Sequence, residues 1–175
     1  MFVSLIVGYF MADLLAGFWH WVEDRYFETE WPLIGKYIAK PNELHHSQPA
    51  AFLDQGYLKR NWTTLVPALI GFAIALDCHA PLWVLAMFAF VSQANEIHAW
   101  AHRGRLQTRL GRVIRGLQEL GIMQSPKHHG VHHKAPFDCR YCVMSDWLNP
   151  LLDWTGFWPA MEWAVARVLR IHPKA

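Results

Sequence analysis

Charged residues are scarce in this chain, and long stretches have none. Asp, Glu, Lys and Arg make up 17% of the 175 residues, whereas hydrophobic residues make up 53%. A typical soluble domain has about 25% charged residues. The shortage argues against an ordinary soluble domain and favours a membrane protein. The formal net charge of +2 is close to balance and indicates no nucleic-acid partner.

Cysteine is rare as well, and the apolar N-terminus is not predicted to be a signal peptide. Three cysteines are too few for a disulfide framework. The apolar N-terminus has no basic segment before it and no small-residue cleavage site after it, which argues against a secretory signal. The length predicts one domain, covering residues 1–175.

Long apolar runs are present, and they predict three transmembrane helices. Phe2–Trp21 is the first, because about 20 residues are enough to cross the hydrocarbon core. Trp62–Ala80 is the second and Pro81–Ala101 the third, with a tight turn at Asp77–Pro81 between them. The predicted fold class is therefore an all-α integral membrane helical bundle.

Basic residues are absent from one side of this predicted topology. All 16 Lys and Arg lie in residues 22–61 or 102–175, which three spans place on the same side. The positive-inside rule assigns that side to the cytosol, so the N-terminus is predicted to be external and the C-terminus cytosolic. A soluble helical bundle gives no reason for this segregation. The Trp-rich segment 147–165 is interpreted as lying on the membrane, although a fourth span there stays open.

Histidine is in excess, and nine of the 11 histidines collect at one level of this topology. They come from four segments at the cytosolic membrane boundary, and several are spaced i, i+4 on one helix face. Neutral imidazole is the commonest side-chain metal ligand. Nine ligands are too many for one metal and suit two, held in a cytosolic-side helical cap. The predicted ligands are His20, His45, His46, His98, His102, His128, His129, His132 and His133.

Three polar residues near the histidines are predicted to support the metal ligands. Asp24 follows His20 by four residues and is expected to orient its ring. Asp13 is an acid inside the first span, where a charge is costly and therefore indicates function. Asn95 shares a helix face with His98 and is expected to hold a water on a metal. A capping or solvated residue is the alternative for each.

The segment Arg103–Met123 is predicted to be a basic amphipathic helix at the membrane surface. Its apolar residues share one face, and its arginines lie mostly opposite or beside that face. A solvated charged face packed on the core is the alternative. The arginines predicted to hold a lipid headgroup phosphate are Arg103, Arg105, Arg109 and Arg112.

Cys139 and Cys142 form a CxxC pair close to the histidines. Such a pair can belong to a zinc site. A single CxxC is a weak signal, however, and nine histidines already saturate two metals. Packing in a partly buried segment is the favoured interpretation, since free cysteine is commonly buried.

The histidines alone leave the metal and the function open. Iron acting with O₂ on a lipid suits a site at the membrane surface, but zinc and copper also bind imidazole. A lipid hydroxylase on the same two-iron frame remains an alternative. A haem-binding electron carrier or a metal transporter would need histidines or polar residues within the spans, where this chain has few.

Five motifs carry a resemblance to a known family. The chain is similar to the plasmanylethanolamine desaturases, the Kua/CarF-type lipid desaturases, which include a plant plastid phosphatidylglycerol desaturase. The resemblance covers roughly residues 8–165. The motifs, in order, are ADLLAGFWHWVED, NELHHSQP, NEIHAWAH, KHHGVHH and WLNPLLDWTGFW.

The resemblance implies a membrane di-iron enzyme that uses the same nine histidines as ligands. Such an enzyme takes O₂ and electrons from a cytochrome or ferredoxin-type donor and removes two hydrogens from a chain of a membrane phospholipid. In the namesake enzymes the product is the vinyl ether of a plasmalogen, so a double bond near the headgroup is expected. Desaturation of an acyl chain is the alternative. Zinc or nickel is expected to replace iron in a recombinant sample.

Overall fold

The computed structural model describes residues 1–103 and 107–174, and all regular structure in those ranges is helical. A π-helical segment, Gly35–Ala39, leads directly into the second α-helix. The absence of strands from the described ranges confirms the predicted all-α class. The helices are α1 (Phe2–Tyr26), α2 (Lys40–Ser47), α3 (Tyr57–Asp77), α4 (Leu82–Val91), α5 (Ala94–His102), α6 (Arg109–Glu119), α7 (Pro126–His132), α8 (Leu148–Trp154) and α9 (Phe157–Leu169).

Helices α1, α3 and α4 form the apolar centre of the bundle. α4 packs along α1 and against α3, from which it is separated by a short turn. Gly8 allows α1 to approach α4 closely, because a Cβ there would lie 2.7 Å from the Cβ of Ala86. The buried residues of this centre are mostly small and aliphatic. They are Ala12, Ala16, Ala68, Val91, Ala94, Ile97, Val143 and Met144.

Helix α1 corresponds to the first predicted span. In the part of the chain that the structure describes, it is the one helix long and apolar enough to cross a membrane by length and composition. Helix α3 corresponds to the second predicted span. It begins at Tyr57 rather than at Trp62, because the polar residues between them, including Arg60, are also helical.

The third predicted span is divided into two helices. α4 ends at Val91, and α5 begins at Ala94 after a short turn. The hydroxyl of Ser92 donates a hydrogen bond of 2.7 Å to the carbonyl of Ala89 and competes with the backbone at this point. One continuous helix over Pro81–Ala101 is therefore a wrong prediction. The break separates the apolar α4 from α5, which carries two of the histidines.

Local capping fixes the start of the two helices that follow. Thr108 accepts a hydrogen bond from the backbone of Gly111 at the start of α6. Ser125 accepts one from the backbone of His128 at the start of α7, where Pro126 occupies the first turn. α7 is therefore placed by its own sequence, and it presents histidines along its whole length.

An aromatic cluster fixes the chain between α7 and α8. Trp21 of α1 and Trp158 of α9 pack around Tyr141 and Cys142, and all four side chains are almost completely buried. This packing holds residues 139–146 against α1, next to the histidines. The segment has no regular structure, so its backbone carbonyls are free to accept hydrogen bonds from side chains.

Candidate metal centre

Five histidines from three helices form a first group of candidate ligands, called the five-histidine group below. Each can offer one ring nitrogen, and these nitrogens all lie within 4.8 Å of one another. α2 supplies one of them, α5 two, and α7 with its C-terminal cap two. The members are His45, His98, His102, His129 and His133.

The spacing of the nitrogens in this group fits a metal ion. His129 Nε2 lies 2.7 Å from His102 Nε2, 2.8 Å from His98 Nε2 and 3.0 Å from His133 Nε2. His45 Nε2 lies 3.0 Å from His98 Nε2. Two nitrogens bonded at right angles to one metal, each at 2.0–2.1 Å, are about 3 Å apart. The group therefore has the spacing of a set of ligands that share one ion.

A second group, called the Asp24 group below, lies beside the first. Asp24 Oδ1 is 2.9 Å from His46 Nε2, and its Oδ2 is 3.3 Å from His132 Nε2 and 3.6 Å from His20 Nε2. Within the described residues, Asp24 Oδ2 and the Nε2 atoms of His20 and His132 are buried and make no hydrogen bond of acceptable geometry. Buried polar atoms without partners are costly, and a cation would satisfy all three.

Two backbone carbonyls orient the rings of the Asp24 group. His20 Nδ1 donates to the carbonyl of Tyr141 at 3.1 Å, and His132 Nδ1 donates to the carbonyl of Cys139 at 2.8 Å. A proton held on Nδ1 leaves the lone pair of Nε2 directed at Asp24. The segment that contains CxxC thus contributes carbonyls to the site, while both of its cysteines are free thiols.

Burial keeps His129 and His133, which lie outside the spans, neutral. Burial first, and then the neighbouring imidazoles, lower the pKa of His133 to about 3. The same two causes place the pKa of His129 well below its ordinary value. At neutral pH these rings are unprotonated, so their lone pairs are available to a cation.

His128 lies outside both groups. Its Nε2 is 3.2 Å from the side-chain nitrogen of Asn149, and its Nδ1 is 3.2 Å from a guanidinium nitrogen of Arg140. Asn149 also accepts from the backbone nitrogen of Cys142 and donates to its carbonyl. The structure therefore brings eight of the nine predicted histidine ligands into two groups and places the ninth in a hydrogen-bond network beside them.

The three residues predicted to support the ligands, Asp13, Asp24 and Asn95, make different contacts in the structure. Asp24 lies 3.6 Å from His20 Nε2 and is itself a member of a candidate ligand group. Asp13 is fully buried, and it accepts hydrogen bonds from the backbone of Met144 and from the backbone and hydroxyl of Ser145. Asp13 therefore holds the carbonyl-bearing segment against α1. Asn95 donates to the carbonyl of Arg60 and so ties α5 to α3.

An apolar cavity of about 590 Å³ runs between α1, α2, α3 and α5 and reaches both groups. His20, His45 and His98 form part of its wall. Its size is within the range of small-molecule sites, which is roughly 300–1,000 Å³. A substrate in this cavity would lie directly against the candidate ligands.

Three of the four arginines predicted to hold a headgroup, Arg103, Arg109 and Arg112, do not line this cavity. Arg109 and Arg112 are exposed on α6, and Arg103 lies 4.0 Å from Glu96. Arg105 falls outside the described residues. The cations on the cavity wall are instead lysines and Arg60, which were not among the predicted headgroup ligands.

The chain matches the family model of the lipid desaturase domain over residues 9–175. It is 33% identical over 174 residues to fatty acid desaturase 4-like 2, chloroplastic, of Arabidopsis thaliana, covering 96% of this chain and 61% of that protein. It is 28% identical to the plasmanylethanolamine desaturase of Myxococcus xanthus, covering 98% of this chain and 62% of that protein. Plasmanylethanolamine desaturase 1 of Mus musculus is also 28% identical, and the alignment covers 99% of this chain and 68% of that protein.

The chain thus spans about three fifths of the length of the first two relatives. No solved structure gives a significant match. The family model covers nearly the whole chain, and it includes all four segments that supply the two ligand groups. The chain therefore belongs to the lipid desaturase family.

Proposed function

We propose that the chain is a membrane di-iron lipid desaturase. The observation that carries this proposal is the pair of adjacent ligand groups on the wall of an apolar cavity. One iron would be held by the five-histidine group and one by the Asp24 group. Zinc or nickel would bind the same imidazoles in recombinant protein, since both bind nitrogen ligands more tightly than ferrous iron does. When bound, iron supplies the redox chemistry that activates O₂, which zinc cannot supply.

The proposed reaction converts one CH₂–CH₂ unit of a lipid chain into CH=CH. The substrate gives up two hydrogens, and a cytochrome or ferredoxin-type donor gives two electrons. With two protons from solvent, these reduce one O₂ to two waters. The balance requires a donor of two electrons for each double bond formed, and the donor is proposed by its chemical class only.

The protein's own residues position the chain and exclude water. The cavity wall is apolar where it faces the inner half of the bundle, at Leu15, Ala68 and Phe88. His20 of the Asp24 group and His98 of the five-histidine group line the same cavity. A lipid chain held there would be fixed close to the reacting centre, which removes much of the entropic cost of reaction.

The membrane placement is part of the same proposal. Helix α3 exposes Val66, Leu69, Ile70 and Ile74, with exposed fractions from 47% to 59%. A patch of this kind is unfavourable in water and suits contact with lipid. We propose one membrane-embedded domain over residues 1–175 with three spans: α1, α3, and α4 continued by α5. The N-terminus is external, and both ligand groups and the C-terminus are on the cytosolic side.

Helices α8 and α9 are proposed to lie on the membrane rather than to cross it. They have 7 and 13 residues, and a span requires about 20. Trp154 and Trp163 are strongly exposed, as expected for aromatic side chains at the level of the headgroups.

The proposed substrate is an ether phospholipid whose alkyl chain becomes a vinyl ether. Two of the similar proteins are named plasmanylethanolamine desaturases, whereas the chloroplast relative is named a fatty acid desaturase. On the α1 wall of the cavity His20 lies between Leu15 and Glu23 and closer to Glu23, which favours carbons close to the headgroup. An acyl chain attacked near its ester would satisfy the same geometry, so the substrate itself has to be tested.

Lipid mass spectrometry tests the function. Cells that lack ether-lipid desaturation would express the chain and be supplied with an alkyl ether phospholipid. The expected product is two hydrogens lighter than the substrate and is sensitive to acid, as a vinyl ether is. His129→Ala at equal protein level serves as the control and should give no product. A product heavier by one oxygen would indicate a hydroxylase. A double bond in the acyl chain would show that the enzyme acts on the acyl chain and not on the alkyl chain.

A further inference from the structure

The two ends of the cavity differ in chemistry. Along α1 its wall extends from Leu15 to Glu23, a distance of about 12 Å at 1.5 Å per residue. Along α3 it extends in the opposite direction, from Ala68 back to Lys59. The end near Leu15 and Ala68 is apolar, whereas the other end is polar and charged.

Three lysines from separate elements collect at the polar end. Lys36 comes from the π-helical segment, Lys40 from the start of α2 and Lys59 from the first turn of α3. All three are exposed, and the salt bridges found among the described residues involve other cations. Glu23 is the one carboxylate on the described cavity wall. The polar end therefore carries an excess of positive charge.

Arg60 differs from the lysines although it lines the same cavity. Its guanidinium donates to Glu96 through Nε at 3.0 Å and through Nη2 at 2.5 Å. A third hydrogen bond goes to the carbonyl of Gln55. Arg60 is therefore buried and compensated, whereas the three lysine ammonium groups form no salt bridge among the described residues. The ammonium of Lys36 lies 4.9 Å from the ring centroid of Tyr37.

Aromatic side chains mark the level at which this end opens. The rings of Tyr37 and Trp62 pack edge to face across it, with their centroids 6.4 Å apart. Both side chains are close to half exposed. Tyr and Trp are enriched where the hydrocarbon core meets the headgroups. In the proposed membrane placement, these two rings suit an opening at the level where a phospholipid carries its phosphate.

We propose that Lys36, Lys40 and Lys59 bind the phosphodiester of the substrate lipid. The lipid chain then extends toward the apolar end and passes His20 and His98 on the way. This inference rests on the proposed function and names the headgroup site for it. It replaces the four arginines predicted from the sequence with three lysines that border the cavity. It also predicts a preference for lipids that contain phosphate over neutral glycerolipids of the same chain length.

Lipid binding by the metal-free protein tests the site without any turnover. The probes are didecanoyl phosphatidylglycerol and didecanoylglycerol, which have the same chains but differ in the phosphate headgroup. Native mass spectrometry of detergent-purified protein measures the bound fraction of each. Removing one lysine charge should weaken phosphatidylglycerol binding about fivefold, so Lys36→Gln, Lys40→Gln and Lys59→Gln together should weaken it roughly 100-fold. Binding of didecanoylglycerol should not change.

A matched control removes the same number of charges elsewhere. Lys127→Gln, Lys134→Gln and Arg167→Gln are exposed and lie off the cavity wall, so this triple variant should bind both probes as the wild type does. Cobalt binding to each variant shows that the fold is intact. Single lysine variants provide the same comparison should a triple variant fail to fold.

The outcomes separate the headgroup site from the proposed function. Equal binding of phosphatidylglycerol by the wild type and the lysine variant would overturn the site and leave the desaturase proposal standing. If phosphate-dependent binding is lost when Arg109 and Arg112 are changed but is kept when the lysines are changed, the headgroup binds at α6 instead. Phosphate-dependent binding through the lysines, in an iron-loaded protein that desaturates no lipid, would uphold the site and overturn the function.

Discussion

His128 and His129 are neighbours in the sequence, but the structure predicts that only His129 contributes to metal binding. His129 Nε2 lies 2.7 Å from His102 Nε2 and 2.8 Å from His98 Nε2. His128 points away from both ligand groups and contacts Asn149. We therefore expect His129→Ala to weaken metal binding strongly and His128→Ala to leave it nearly unchanged.

The size of the His129 effect follows from the number of ligands. Zinc bound by protein side chains gains about 10–16 kcal/mol, so each of five ligands accounts for roughly 2–3 kcal/mol, or a 30- to 200-fold change in affinity. His128→Ala removes hydrogen bonds of about 1 kcal/mol each, which lowers the stability of the fold rather than the affinity for metal.

Cobalt titration of the metal-free protein measures both effects on one scale. Cobalt gives a visible spectrum on binding, and thermal unfolding of the same samples reports stability separately. The His129 variant should need much more cobalt to fill the five-histidine group. Equal loss of affinity in the two variants would refute the assignment and return His128 to the ligands.

Three further perturbations follow from the geometry. Asp24→Asn removes the carboxylate shared by three imidazoles, and the protein should then retain about one metal instead of two in elemental analysis. Asp13→Asn weakens the buried contacts to residues 144–145 and should reduce the free energy of unfolding by about 1–3 kcal/mol in a denaturant titration, whereas Asp77→Asn at the exposed end of α3 should not. Ala68→Phe fills the apolar end of the cavity, so conversion of long-chain lipids should fall more than that of short-chain lipids when both compete in one reaction.

Helical spacing predicted much of the histidine arrangement. The i, i+4 pairs His98/His102 and His129/His133 share a helix face, and both pairs belong to the five-histidine group. The same spacing did not place His128. It lies one helical turn before His132 on α7, yet its ring contacts Arg140 and Asn149, whereas the ring of His132 reaches Asp24. Spacing fixes which residues share a face, but only tertiary packing decides what that face meets.

The role of Asp24 could not be read from its distance to His20 along the helix. Four residues of separation are equally compatible with a carboxylate that orients the ring and with one that shares a cation with it. The carbonyl of Tyr141 favours the second role, because it accepts a hydrogen bond from Nδ1 of His20 and leaves the lone pair of Nε2 facing Asp24. Tyr141 is 121 residues away in the chain, and no local pattern indicates this contact.

The three lysines at the polar end of the cavity could not be predicted from the sequence for a similar reason. The arginines of α6 form a dense local pattern, and such a pattern is visible in the sequence. Lys36, Lys40 and Lys59 belong to three different elements, and no local sequence motif links them. Only the fold brings them together at one opening of the cavity. The break between α4 and α5 was missed because the span was predicted from the length of its apolar run, which does not show where a helix is interrupted.

Iron titration of turnover tests the central claim most directly. Metal-free protein in lipid vesicles would receive ferrous iron in steps, with excess reductant, electron donor, O₂ and an alkyl ether phospholipid, and the product would be measured by mass at each step. With two ligand groups that must both be filled, product should form mainly after the first equivalent and reach its maximum at two per chain. Full turnover at one equivalent, or a product that has gained oxygen instead of losing two hydrogens, would contradict the account.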